Sequence, residues 1–167
     1  MKIILTGAKG SGKSTLVREL LRRSAWPAVG FFTEKVSAQN RIVGYKIHEI
    51  GGRSRTFAHI AFKTQVRFEQ FGVKPAVFDT FGIELLTRCA ATGKPFLIDE
   101  MGVMEQSAGR FCDYATEILN RSTCWLVVVQ QRALDFWRPR LAPPQVLTVT
   151  TANHDALLQT ISAKIEN

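Results

Sequence analysis

A chain of 167 residues with 46% apolar content can bury one proper core, which favours a single domain over residues 1–167. The net charge of +8, from 22 basic and 14 acidic residues, attracts polyanions such as nucleoside triphosphates, nucleic acid or an anionic membrane surface. No apolar run approaches membrane length and no signal peptide is recognisable, so the expectation is a cytoplasmic protein without a membrane partner. The basic residues are spread along the chain, with small knots at Arg22–Arg23, Arg53–Arg55 and Arg138–Arg140, a pattern that favours a solvated basic surface over a dedicated nucleic-acid site. Cys89, Cys112 and Cys124 are far apart and odd in number, and His48, His59 and His154 are equally scattered. Buried free thiols are therefore expected, and no metal site is assigned to either set.

In chain order, the first element is the short apolar strand Lys2-Ile3-Ile4-Leu5-Thr6. Gly7-Ala8-Lys9-Gly10-Ser11-Gly12-Lys13-Ser14-Thr15 follows it, and Gly7, Gly12, Lys13 and Ser14 fit the spacing G-x-x-x-x-G-K-[S/T] of a phosphate loop. A triphosphate needs many donors at close range, and backbone N–H groups supply them only where no Cβ blocks the approach. Gly7, Gly10 and Gly12 clear that space and permit positive φ. The helix that begins near Lys13 aims its free N–H groups and positive dipole end at the phosphates. Residues 7–15 are thus expected to bind the nucleotide, with Lys13 reaching the β- and γ-phosphates and Ser14 holding Mg²⁺.

Leu16, Val17, Leu20 and Leu21 give this helix its apolar face, and Ser24 to Pro27 ends it. Residues 28–36 and 42–50 read as two strands joined by a turn at Gln39-Asn40, an antiparallel hairpin. Gly51-Gly52 leads to a further short strand, Thr56 to Ile60. From Pro75, Phe78, Phe81, Leu85 and Cys89 recur at helical spacing up to a stop at Gly93. Pro95 to Asp99 is a short buried strand. Ser107 is expected to cap a helix carrying Phe111, Tyr114, Ala115, Ile118 and Leu119. Cys124 to Val129 reads as a central parallel strand, Ala133 to Trp137 as a short helix, Val146 to Thr150 as the last strand, and Leu157, Leu158, Ile161 and Ile165 as one face of the last helix. Strands alternating with helices imply an α/β fold with a mostly parallel sheet, to which the hairpin near residues 28–50 adds antiparallel strands.

A phosphate loop needs an acid at the end of another strand, and Phe96-Leu97-Ile98-Asp99-Glu100 offers two. Asp99 is placed to orient Mg²⁺ opposite Ser14, and Glu100 to polarise the attacking water as general base. At the tip of the next strand, Gln130 is either a sensor of the γ-phosphate or a solvated loop residue. Asn153, between the last strand and last helix, has two readings as well. Its amide could meet different nucleobase edges by flipping, or it could cap the final helix, a role open to Thr151 too.

Several segments together resemble a known family. Gly7–Thr15, Gly30-Phe31-Phe32-Thr33-Glu34, Arg41 to Ile50, Phe71-Gly72-Val73, Leu97 to Gly102 with Met104-Glu105 and Ser107 to Phe111, and Val149 to Asn153 are similar, in this order, to the cancer-related nucleoside-triphosphatase family. The resemblance implies an α/β P-loop domain that slowly hydrolyses several nucleoside triphosphates with Mg²⁺, and it strengthens the nucleobase reading of Asn153. Lys35, Val103 and Gln130-Gln131 depart from the family pattern and bear on base preference and turnover. No arginine lies in a recognisable finger motif, and Arg53, Arg55 or Arg110 could serve in cis. Two other functions fit the same residues: a P-loop small-molecule kinase, and a nucleotide-switched assembly factor acting on RNA.

Overall fold

The computed structural model describes residues 1–166. Three apolar segments build the middle of the parallel half of its sheet: β1 (Lys2–Thr6), β7 (Phe96–Met101) and β8 (Trp125–Val129). Every residue of β8 is buried, as a strand covered on both faces requires. β8 pairs in parallel with β1 and β7; β9 (Gln145–Thr148) adds in parallel to β1, and β2 (Val29–Ala38) to β7. β2 turns back at Gln39 and Asn40, both at positive φ (48° and 58°), into the antiparallel β3 (Arg41–Glu49). β4 (Ser54–His59), β5 (Arg67–Phe68) and β6 (Phe71–Val73) complete a nine-stranded sheet in the order β5-β6-β4-β3-β2-β7-β8-β1-β9. The hairpin expected near residues 28–50 is therefore the junction between a parallel and an antiparallel half. The paired strands β5 and β6 were not among the expected elements, because two or three residues carry too little alternation to read.

Strand alternation sorts the core into two layers. Ile3, Leu5, Leu97, Leu126 and Val128 meet Leu16, Val17 and Leu20 of α1 (Lys13–Ser24) and Leu158 and Ile161 of α6 (His154–Glu166). Ile4, Ile98, Val127 and Val129 lie in the layer that holds Phe78, Leu85, Phe111, Ala115 and Leu119 on the other face. That layer is built by one helical stretch, α2 (Pro75–Val77), a π-helical turn (Phe78–Gly82) and α3 (Ile83–Ala91), and by α4 (Gly109–Arg121). The π turn is a local widening that helical periodicity did not foretell. A side chain at Gly82 would press on the Phe111 ring at 3.0 Å, so the small residue lets the two helices meet.

Most strand ends fall one or two residues from expectation, and at two element ends the difference has a visible cause. Ser107 does not cap α4: it sits in a 3₁₀ turn (Glu105–Ser107), and its hydroxyl donates to the Met104 carbonyl. The cap comes from a neighbouring helix, where Asp79 Oδ1 accepts the Phe111 N–H at 2.9 Å. The last strand closes at Thr148 because Thr150 is turned away to bond Asn153. A short helix, α5 (Leu134–Trp137), lies between β8 and β9.

Candidate functional site

The loop between β1 and α1 lies at the carboxyl end of the parallel strands, where open α/β sheets bind ligands. Its glycines hold the conformations expected of them: φ is 140° at Gly7, 82° at Gly10 and 93° at Gly12. A Cβ on Gly7 would strike the Val149 carbonyl, so this position is also fixed by the close approach of the segment after β9. Gly12 stands just ahead of α1 with no side-chain cap, leaving the first N–H groups of that helix available. The His154 ring packs over Gly12, 3.2 Å from where its Cβ would be. Ala8, Lys9 and Gly10 are exposed at the rim, and Ser14 and Thr15 are exposed on the first turn of α1.

Lys13 is buried within the loop, and its Nζ donates to the carbonyls of Gly7 and Ala8 at 2.9 Å each. The ammonium is thereby held inside the curve of the loop rather than swinging into solvent.

Alternation along β7 turns Asp99 toward α1, on the side of Leu97. There the Ser14 hydroxyl donates to Asp99 Oδ1 at 3.2 Å. Burial pushes the Asp99 carboxyl up to about 6; the Ser14 bond opposes this, Glu100 adds to the rise, and Arg18 and Lys13 counter it. Arg18 stands one turn after Ser14 and so shares its face of α1, a spacing visible in the sequence but not used there.

Glu100 is half-buried and held from two sides. The Thr33 hydroxyl donates to its carbonyl at 3.3 Å, and Gln130 Nε2 donates to its Oε1 at 2.6 Å. The other nearby acids have different partners. Glu34 pairs with Lys46 Nζ at 3.2 Å and His48 Nδ1 at 3.1 Å; burial opposes ionisation, yet those two partners hold its carboxyl below the usual range. Glu105 is buried, and its Oε2 accepts the Gly102 N–H at 2.8 Å. Burial pushes its carboxyl up to about 7.

Of the arginines singled out beforehand, Arg53 and Arg55 stack on the Phe81 ring, and Arg53 also pairs with Glu84 at 2.7 Å. Arg110 lies exposed in the first turn of α4. The arginine linked to Glu100 is Arg132, whose Nε donates to Gln130 Oε1 at 3.3 Å. Sequence reading missed it because the link runs through a turn, Gln131–Ala133, with no periodicity of its own.

Asn153 uses both ends of its amide locally. Oδ1 accepts the Thr150 N–H at 2.8 Å and Nδ2 donates to the Thr148 carbonyl at 2.9 Å. Its N–H donates in turn to Thr150 Oγ1 at 3.2 Å. A flip of the amide would break both side-chain bonds, so the flipping expected from its chemistry is opposed by the loop it sits in. The side chain ties β9 to α6 from behind instead of bonding forward into the helix.

A glycine-rich loop with phosphate-loop spacing at the carboxyl end of the parallel strands, with a buried acid facing its serine, defines the class: an α/β protein of the P-loop type. The chain belongs to the NTPase family, whose model matches residues 2–162. It is 28% identical over 177 residues to the nucleoside-triphosphatase THEP1 of Aquifex aeolicus, covering 99% of each chain. It is 29% identical over 130 residues to the cancer-related nucleoside-triphosphatase homolog of Bos taurus, covering 71% of this chain and 68% of the other. The crystal structure of THEP1 from Aquifex aeolicus superposes over 100% of both chains with a TM-score of 0.85 at 29% identity. The solution structure of a human cancer-related nucleoside triphosphatase, at 24% identity and a TM-score of 0.77, shares the fold. No helix among the described residues is long and apolar enough to cross a membrane.

Proposed function

We propose that this chain hydrolyses the terminal phosphate of nucleoside triphosphates, ATP and GTP among them, with Mg²⁺ and in slow turnover. One observation carries the reading: Ser14 and Asp99 meet at 3.2 Å beside the loop that encloses Lys13, with Glu100 the next residue. The relatives named above point the same way, each being called a nucleoside-triphosphatase.

A hydroxyl and a carboxylate are the sparse set of hard oxygen donors that suits Mg²⁺ when phosphate oxygens complete its shell. Ser14 and Asp99 would hold it. Bound there, the ion would neutralise charge on the β- and γ-phosphates. Backbone N–H groups of residues 7–15 and the Lys13 ammonium bind and orient the phosphates. Glu100 takes a proton from the attacking water as its oxygen bonds to the γ-phosphorus and the bond to the departing diphosphate breaks. The positive end of α1 and Lys13 stabilise the charge that develops on the leaving oxygen. The loop from Thr150 to His154 meets the nucleobase, and Asn153 contributes by holding that loop in shape.

Without a supplied arginine, turnover on the order of 10⁻³–10⁻¹ s⁻¹ is expected. A phosphate-release panel over ATP, GTP, CTP and UTP, with and without Mg²⁺ and candidate acceptors, tests the reading. Release that needs Mg²⁺ but no acceptor supports it. Phosphate transfer only when an acceptor is present would make the chain a kinase instead.

A further inference from the structure

Gln130 follows β8 and is fixed before its side chain does anything. Its N–H donates to the Met101 carbonyl at 3.0 Å, which sets the amide beside the end of β7. Chemistry then determines which way the amide points. A guanidinium only donates and a carboxylate only accepts, so Oε1 must face Arg132 (3.3 Å) and Nε2 must face Glu100 (2.6 Å). Arg132 is itself seated, with its guanidinium 4.6 Å over the Phe68 ring and 3.9 Å from Glu69 Oε1.

Beneath the amide lies Gly102. A Cβ there would stand 2.5 Å from Gln130 Cδ, 2.6 Å from Nε2 and 2.7 Å from Oε1, so the amide occupies the space that a side chain would take. Gly102 is in turn clamped, its N–H by buried Glu105 at 2.8 Å and its carbonyl by Trp137 Nε1 at 3.1 Å. A glycine held at both backbone groups makes a rigid seat.

We infer that Gln130 is the residue that positions the Glu100 carboxylate for water activation, with Gly102 as its seat and Arg132 as the group that fixes the direction of its amide. It acts through Glu100 and does not itself sense the γ-phosphate. The inference rests on the reading of Glu100 as general base and is separable from it.

The test compares steady-state kinetics with Mg·ATP and Mg·GTP for Gln130→Leu, Gly102→Ala, Glu100→Gln and the double variant Glu100→Gln/Gln130→Leu. Gln130→Leu keeps the volume and removes both amide bonds. Gly102→Ala keeps the amide but displaces it, and the clash falls on the end of a flexible side chain, which has to shift while the backbone need not. Hydrogen bonds to charged groups are among the stronger ones, so both variants should lose roughly ten- to a hundredfold in kcat with KM within about twofold of the parent. In the double variant, Gln130→Leu should add nothing to the loss caused by Glu100→Gln, since residues acting as a unit are not additive.

Normal kcat in both single variants, or a raised KM with kcat preserved, overturns the inference; the latter would make Gln130 a phosphate contact. A Glu100→Gln variant with full activity removes the general-base reading itself. Full loss in Glu100→Gln with unaffected Gln130→Leu and Gly102→Ala would leave that reading standing and sink only this one. Should Gln130→Leu fail to fold, Gly102→Ala alone decides.

Discussion

The Ser14 hydroxyl donates to Asp99 Oδ1 at 3.2 Å, joining the first turn of α1 to the end of β7. Two strands that are not neighbours in the sheet, with β8 between them, thus present their ends to one point. The link makes a prediction about the metal. Asp99→Asn keeps the shape and the acceptor oxygen for Ser14 but loses the charge, so it should raise the Mg²⁺ concentration needed for half-maximal activity. A magnesium titration at saturating ATP measures this; an unchanged midpoint would separate Asp99 from the ion.

Lys13→Ala should remove most activity. The ammonium is a buried point charge facing the loop carbonyls, and a stabiliser of that kind is worth about 10²–10³ in rate. Triphosphate binding, followed by calorimetry, should weaken with it. Near-normal turnover by a folded mutant would place the lysine outside the site.

The two strand-end acids should separate cleanly in binding. Glu100→Gln is expected to bind Mg·ATP as the parent does and to slow single-turnover hydrolysis by about 10²–10⁴. Weak binding with an unaltered chemical step would be the wrong signature for a general base.

Much of this arrangement was legible in the sequence, for identifiable reasons. Gly7, Gly12, Lys13 and Ser14 are spaced by the geometry of one local turn, and β1 and α1 are short-range structures on either side of it. Asp99 was legible because a phosphate loop calls for an acid at the end of another strand, and the apolar run from Phe96 to Ile98 ends in one. What stayed hidden depends on tertiary contact. Gln130 and Glu100 are 30 residues apart and meet only once β7 and β8 pair, with an irregular register between Asp99 and Met101. The cap of α4 was misread at Ser107 because its true acceptor, Asp79, comes from another helix. Arg53 and Arg55 gave no sign in sequence that the Phe81 ring would engage them.

Glu105 should make the fold lose stability as pH rises. Burial lifts its carboxyl from an ordinary 4.5 to about 7; the bond from the Gly102 N–H and its own backbone N–H oppose the rise, and Glu100 adds to it. Below about 4.5 the group is protonated in both the folded and the unfolded chain and costs nothing. Between 4.5 and 7 the unfolded chain gives up the proton first, so the folded state is penalised progressively, and above 7 the penalty is constant. The total is on the order of 3 kcal/mol. Glu105→Gln keeps an acceptor for Gly102 without the charge, and Asp99 titrates alike in both proteins. Its melting temperature should therefore gain on that of the parent from about pH 4.5 to about pH 7.5. A constant difference across that range would mean that Glu105 titrates normally.

At Asn153 the structure sharpens a choice that side-chain chemistry alone left open. Three hydrogen bonds, to Thr150 N, Thr148 O and Thr150 Oγ1, stitch the turn between β9 and α6. The first two belong to the side chain and would vanish in Asn153→Ala; the third, from the backbone N–H, would persist. Losing two local bonds of this type costs about 1–3 kcal/mol, so the variant should melt several degrees below the parent. The same turn carries His154, whose ring packs over Gly12 of the phosphate loop. Slackening it should disturb the end of the site proposed to meet the nucleobase while leaving Asp99 and Glu100 untouched, and KM for ATP and GTP should rise severalfold with kcat little changed. Asn153→Asp distinguishes shape from contact: its carboxylate still accepts from Thr150 N but cannot donate to Thr148. If KM rises step by step as the melting temperature falls, from the parent through Asn153→Asp to Asn153→Ala, the residue works by holding the loop. If the aspartate variant melts near the parent yet raises KM as far as the alanine variant does, the amide itself touches the base.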